Sequence, residues 1–199
     1  MGRVIVVQFM TVDGVVEDPV GSDGTDFGGW AMRHGPQGIA GDKFRLGPIL
    51  NTGTLLFGRR TWEHFSTLWP LRNDPFSGAM NRATKAVAGS GRRDLSAWSN
   101  SHHVDRPLAS WTRSTKTAAD IVVIGSGSVV THLADEGLVD EYRLLVFPTA
   151  TGAGRRLFTA PHSFDLHRSE QVGPAVLTIL TEPRPPGLDP DVIRMPGDR

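Results

Sequence analysis

The sequence contains no cysteine, which removes disulfide frameworks, thiolate nucleophiles and cysteine-containing zinc sites from its chemistry. It lacks an excess of charge as well. Lys+Arg and Asp+Glu stand at 21 each, so neither nucleic acid nor a membrane surface is expected as a partner. No apolar run reaches the length that crosses a bilayer. The opening Met1-Gly-Arg-Val-Ile-Val-Val-Gln-Phe-Met has too short an apolar core for a signal peptide, and a cytoplasmic protein of bacterial type is expected. The histidines show no metal-ligand spacing: His102 and His103 are adjacent on an expected strand and so point to opposite faces. No metal is expected, and no repeat of solenoid period is visible.

What is present, over 199 residues, has the length of one domain. Arg3 to Phe9 is a nearly continuous β-branched run, as in a strand buried on both faces. Asp13 to Gly29 mixes glycines, acidic residues and a proline without periodicity and reads as a long loop. Ala31 to Leu50 suits a helix interrupted at Gly35-Pro36, Gly41 and Gly47-Pro48. Thr54 to Gly58 is a short strand that passes into a helix start at Arg59, and Trp69 to Gly78 reads as a loop. Thr84 to Ala88 is a strand ending at Gly89-Ser90-Gly91, with a weaker one at Ser101 to Val104 and a short helix from Ser110 to Ala119.

Asp120 to Ile124 is the clearest buried strand, and it runs into Gly125-Ser126-Gly127-Ser128 and a helix that closes at Gly137. Glu141 to Phe147 is a strand stopped by Pro148. Phe164 to Val172 and Ala175 to Thr181 form a hairpin through Gly173-Pro174. The pattern predicts a single three-layer α/β domain over residues 1–182, with a central mixed, mostly parallel sheet, an antiparallel C-terminal hairpin and flanking helices. Residues 183–199 hold five prolines and read as a flexible tail.

Two strand-to-helix turns suit a phosphate-bearing ligand. At Gly125, Ser126, Gly127 and Ser128, with Val129 opening the helix, the glycines permit close backbone approach and the first helical amides point outward. Such turns also join strands to helices without any ligand, and Val130 stands where the dinucleotide fingerprint requires its third glycine. The turn at Gly58, Arg59, Arg60 and Thr61 strengthens the reading. Its arginines crowd the positive end of a helix, a mild conflict that an anion would relieve. Gly89-Ser90-Gly91, followed by Arg92 and Arg93, is either a third such turn or a polar surface loop.

In their order, Met10-Thr-Val-Asp-Gly14, Leu56-Phe-Gly-Arg-Arg-Thr-Trp-Glu63, Asp120-Ile-Val-Val-Ile-Gly-Ser-Gly-Ser128, Gly137-Leu-Val-Asp-Glu-Tyr-Arg-Leu144 and Gly152-Ala-Gly-Arg-Arg-Leu-Phe158 resemble the dihydrofolate reductase-like superfamily. The likeness is to stand-alone relatives of the reductase domain of bacterial riboflavin biosynthesis deaminase-reductases, over residues 3 to 182. It implies an NADPH-dependent reductase, commonly a homodimer. The turns at Gly58–Thr61 and Gly125–Ser128 would hold the cofactor phosphates, Ser90 and Arg92 would lie near the 2′-phosphate, and Val12, Asp13 and Gly14 would edge the nicotinamide and substrate pocket.

Asp13 is the carboxylate best placed to polarise substrate or relay a proton, although Asp-Gly is a turn pair in its own right. Trp30 closes the long glycine loop and is expected at the substrate pocket. Two departures leave the substrate open. Asp42, the acidic residue of the 31–50 segment, has no motif around it, and Gly-Ser-Gly stands in place of a Glu-Gly-Gly-type turn. The leading expectation is reduction of a pteridine- or aminouracil-like heterocycle or of a carbonyl; the rival is a nucleotide-binding module without turnover.

Overall fold

The computed structural model describes residues 1–183, so the expected tail lies, but for Pro183, outside the described residues. Eight strands form one sheet: β1 (Val4–Thr11), β2 (Thr54–Gly58), β3 (Thr84–Ala88), β4 (Ser101–His103), β5 (Ile121–Ile124), β6 (Glu141–Phe147), β7 (Asp165–Val172) and β8 (Ala175–Thr181). Their order is β4-β3-β2-β5-β1-β6-β8-β7. Pairing is parallel from β4 through β6 and antiparallel in β6–β8 and β8–β7, which is the mixed sheet with a terminal hairpin that the sequence pattern predicts. The central strands are apolar on both faces because helices cover both. Ile5, Val7, Leu55, Phe57 and Val122 pack to one side, and Val4, Val6, Leu56, Ile121 and Val123 to the other.

Among the described residues five helices serve those faces: α1 (Ile49–Thr52), α2 (Arg59–Leu68), α3 (Pro75–Arg82), α4 (Leu108–Lys116) and α5 (Gly127–Asp135). Trp62 of α2, Met80 of α3 and Leu50 of α1 enter the first core, whereas Trp111 of α4 and Val129, Val130 and Leu133 of α5 enter the second. The helices after the adjacent strands β2 and β5 therefore leave toward opposite faces. Among the described residues none of the helices is long and apolar enough to cross a membrane.

Two expectations need correction. Ala31 to Leu50 is not one helix: it holds 3-10 turns at Met32–His34 and Pro36–Gly38, and regular helix starts only at Ile49. The glycine-proline breaks win over the apolar spacing. Tertiary bonds hold the segment, since Arg143 on β6 pairs with Glu141 at 2.5 Å and donates to the carbonyls of Phe44 and Arg45 at 2.9 and 2.6 Å. Asp42, the carboxylate without a motif, accepts the amides of Leu46 and Gly47 at 2.8 and 2.7 Å, which is a turn-forming role. The stretch read as a loop from Trp69 contains the start of α3. Asp74 caps that helix through the amides of Phe76 and Ser77, both at 3.0 Å, with Pro75 in the first turn.

Lys85 of β3 is fully buried, and among the described residues no carboxylate pairs with it. Its ammonium donates to the carbonyls of Asn81 and Ala83 at 3.0 and 2.6 Å and lies 4.6 Å from the centre of the Trp98 ring. Burial pushes its pKa down to about 8. An unfolded lysine titrates near about 10.4, so between these values the unfolded chain binds more protons and this group's contribution to stability rises with pH. In urea unfolding the wild type should gain on Lys85→Met by about 1.4 kcal/mol per pH unit from pH 8 to about 10; parallel pH profiles would refute this account.

Candidate functional site

In an open parallel sheet, ligands settle beyond the carboxyl ends of the strands, at the point where successive crossovers diverge. Here that point lies between β2 and β5. β2 pairs with β5 directly, α2 follows β2 at once, and α5 follows β5 after Gly125 and Ser126. The two turns are in contact. A Cβ on Gly58 would overlap Ser126 Oγ, and one on Gly125 would stand 3.2 Å from Thr61 Cγ2. The third turn adjoins them, since a Cβ on Gly89 would lie 3.4 Å from Arg59 Cβ. Three turns spread over residues 58–128 of the chain thus form one rim.

The helix mouths on that rim are open. Neither α2 nor α5 has a side-chain cap hydrogen bond, unlike α3 with its Asp74, so their first amides are left for an outside acceptor. Ser126 occupies the cap position of α5 in the left-handed region, at φ 59° and ψ 80°. A β-carbon makes that conformation unfavourable by about 1–2 kcal/mol. Its hydroxyl turns to Ser128 Oγ at 3.4 Å rather than to a helix amide.

Cations gather beside the open mouths. Arg59 and Arg93 both reach Glu63 Oε1, each at 3.4 Å and each more than a third exposed, so these loose pairs contribute little and yield readily to a better anion. Arg59, Ser90, Arg93 and His103 line a cleft that continues past Gly91 to Arg92 and Asp105. Ser90 lines the first part of that cleft and Arg92 its continuation. Arg60 is exposed on the first turn of α2 and lines neither part of that cleft. Val129 is buried against the core behind the α5 mouth, its amide donating to the Ser126 carbonyl at 2.9 Å.

The opposite lip comes from the ends of β1 and β6. Asp13 accepts the Thr11 hydroxyl at 2.5 Å and the amides of Thr151 and Gly152 at 3.3 and 2.8 Å. The Thr11 hydroxyl first, and then the Gly152 amide, hold its carboxyl below the usual carboxylate range. A carboxylate held so is a loop tie and a poor proton donor. Gly14 accepts the Leu157 amide at 3.0 Å, and Val12 beside it is 62% exposed. Trp30, expected at the substrate pocket, is fully buried: its indole N–H donates to the Glu17 carbonyl at 2.9 Å and its ring packs edge-on to Phe147. The ring anchors the long loop to the core and presents no face to a ligand. Among the described residues no group of three or more His, Cys, Asp or Glu could hold a metal ion.

The sequence reading gave Arg93 only a place behind the third turn and gave no site role to His103 or to Arg155, whereas the β3–β4 connection brings Arg93 and His103 to the cleft. Arg155 was visible only as the cation after a glycine pair, Gly152-Ala-Gly154. A Cβ on Gly127 would lie 2.8 Å from Arg155 Cζ, so its guanidinium rests on the first residue of α5.

Residues 3–178 match the family described as the RibD C-terminal domain. The chain belongs to that family. Its fold is that of solved relatives, among them a candidate riboflavin biosynthesis protein from Shewanella sp. PV-4, at 20% identity and a TM-score of 0.67, with 92% of this chain covering all of that one. Acinetobacter baumannii RibD aligns at 18% identity and a TM-score of 0.61, over 92% of this chain and 59% of its own. The diaminohydroxyphosphoribosylaminopyrimidine deaminase/5-amino-6-(5-phosphoribosylamino)uracil reductase of Thermotoga maritima aligns at 13% and 0.57, over 91% and 56%. This chain thus spans little more than half of those two proteins. No curated protein matches it.

The contact between the first two turns is testable. Gly58→Ala should destabilise the protein by about 1–3 kcal/mol, because its methyl meets Ser126. Ser126→Gly should recover most of that loss in the double variant by removing the obstruction and relaxing the left-handed backbone. Additive effects in urea unfolding would show that the two turns do not press on each other.

Proposed function

We propose that the protein is an NADPH-dependent reductase of a small pteridine- or aminouracil-like heterocycle or of a carbonyl compound. The observation that carries this reading is the single rim made by the turns after β2, β3 and β5, with two uncapped helix mouths and Arg59, Arg92, Arg93 and Arg155 around it. A ligand with two separate phosphate groups suits it. The amides of α2 and α5 take a diphosphate between β2 and β5, while Ser90, Arg92 and Arg93 take a further phosphate at the β3 end. Membership of the RibD C-terminal domain family supports the same assignment.

When bound, such a cofactor supplies the hydride, and a proton from solvent completes reduction of a C=N or C=O group. The chain's own part is positional. Val12 and Gly14, at the end of β1, edge the space beside the diphosphate turns, and Asp13 keeps that edge tied to Thr151 and Gly152. Because the Asp13 carboxyl is held below its ordinary value, it stays ionised at neutral pH and the proton does not come from it.

NADPH should raise the unfolding temperature more than NADH does, by preferential binding to the folded state. Arg59→Ala should narrow that difference if Arg59 reads the 2′-phosphate. No shift with either dinucleotide sinks the proposal, and binding without NADPH oxidation across pteridines, aminouracils, quinones and carbonyls favours a module without turnover. Once a substrate is in hand, Asp13→Asn should lower the rate without moving the inflections of the pH profile of kcat/KM; an inflection lost with the carboxylate would make Asp13 the acid after all.

A further inference from the structure

Arg155 differs from the other arginines of the rim. Its backbone is pinned on both sides: its amide donates to Glu17 Oε2 at 2.8 Å and its carbonyl accepts the Val16 amide at 3.0 Å. The neighbouring residue forms a bridge with Val15, and Leu157 donates to the Gly14 carbonyl. From that fixed backbone the side chain crosses the crevice to the opposite lip. A Cβ on Gly127 would stand 2.8 Å from Arg155 Cζ and 2.9 Å from Nε, so the exposed guanidinium rests against the first residue of α5.

Arg59 and Arg93 share Glu63, whereas among the described residues no carboxylate pairs with the Arg155 guanidinium. A cation at the start of a helix faces the positive end of the helix dipole and unpaired N–H groups, so the two repel. An anion between them turns that repulsion into two attractions. The planar fork offers parallel N–H donors from one side, and the amides of Gly127 and Ser128 offer theirs from the other.

Resting on the dinucleotide reading above, we propose that Arg155 binds the cofactor diphosphate from the side opposite the α5 amides, and so reads the linkage common to NADPH and NADH rather than the 2′-phosphate.

Titration calorimetry of the full chain with NADPH and with NADH tests this. Arg155→Ala should weaken both by the same factor, roughly 10- to 100-fold, the effect of one bidentate charge-assisted contact. Arg155→Lys, which keeps the charge and loses the fork, should recover part of the loss. Thermal unfolding without cofactor checks that each variant is folded; should the alanine variant fail there, Arg155→Lys and Arg155→Gln carry the same comparison. Unchanged affinity for both dinucleotides, or a loss confined to NADPH, overturns the assignment while leaving the reductase reading intact. A wild type that binds neither dinucleotide overturns the reductase reading itself, and this assignment with it.

Discussion

Everything at the rim depends on the contact between Gly58 and Ser126. Neighbouring strands lie about 4.8 Å apart, and β2 and β5 each pass almost at once into a helix, one to each face of the sheet. Two turns that close cannot both carry outward side chains. Glycine on β2 and a left-handed serine before α5 resolve the crowding, and the same solution leaves both helix mouths uncapped. The strain at Ser126 and the free amides beside it have one origin, and it is topological.

That origin also explains which parts were legible in the sequence. Strands buried on both faces read as unbroken β-branched runs, so Arg3–Phe9 and Asp120–Ile124 announced β1 and β5 with ends only a residue or two adrift. The turns after β2 and β5 were legible because glycine next to a buried strand has few other uses. Segments held by tertiary bonds were not. Between residues 31 and 50 the chain follows Arg143 on β6, whose guanidinium holds the carbonyls of Phe44 and Arg45, a contact across about a hundred residues that no local pattern carries. The helix at Pro75–Arg82 was hidden by the opposite error. Asp74-Pro75 is a start signal, yet the surrounding proline and asparagine read as loop.

Trp30 and Arg155 show the same limit at the site. A tryptophan closing a glycine-rich loop suggests a lid, but the loop needs an anchor first, and the indole N–H bonded to Glu17 with the ring against Phe147 makes Trp30 that anchor. Arg155 follows glycines in a polar segment, where an arginine is ordinarily solvated. Only the pairing of residues 14–17 with 155–157 turns it toward α5. Which exposed cation faces a site is decided by the loop beneath it.

The charges of the rim are therefore of two kinds. At the β3 end, Glu63 already partly compensates Arg59 and Arg93; an anion arriving there must displace a carboxylate, and its net gain is the difference between two interactions. At the α5 mouth no carboxylate among the described residues pairs with the Arg155 guanidinium, and the helix pole adds to the field instead of opposing it. If the proposed dinucleotide binds, its binding energy should concentrate on the diphosphate at the α5 turn, with the 2′-phosphate tuning the choice between dinucleotides through a smaller difference. On the proposed reading, a dinucleotide is held by its common linkage and discriminated at the end where the protein's own carboxylate competes.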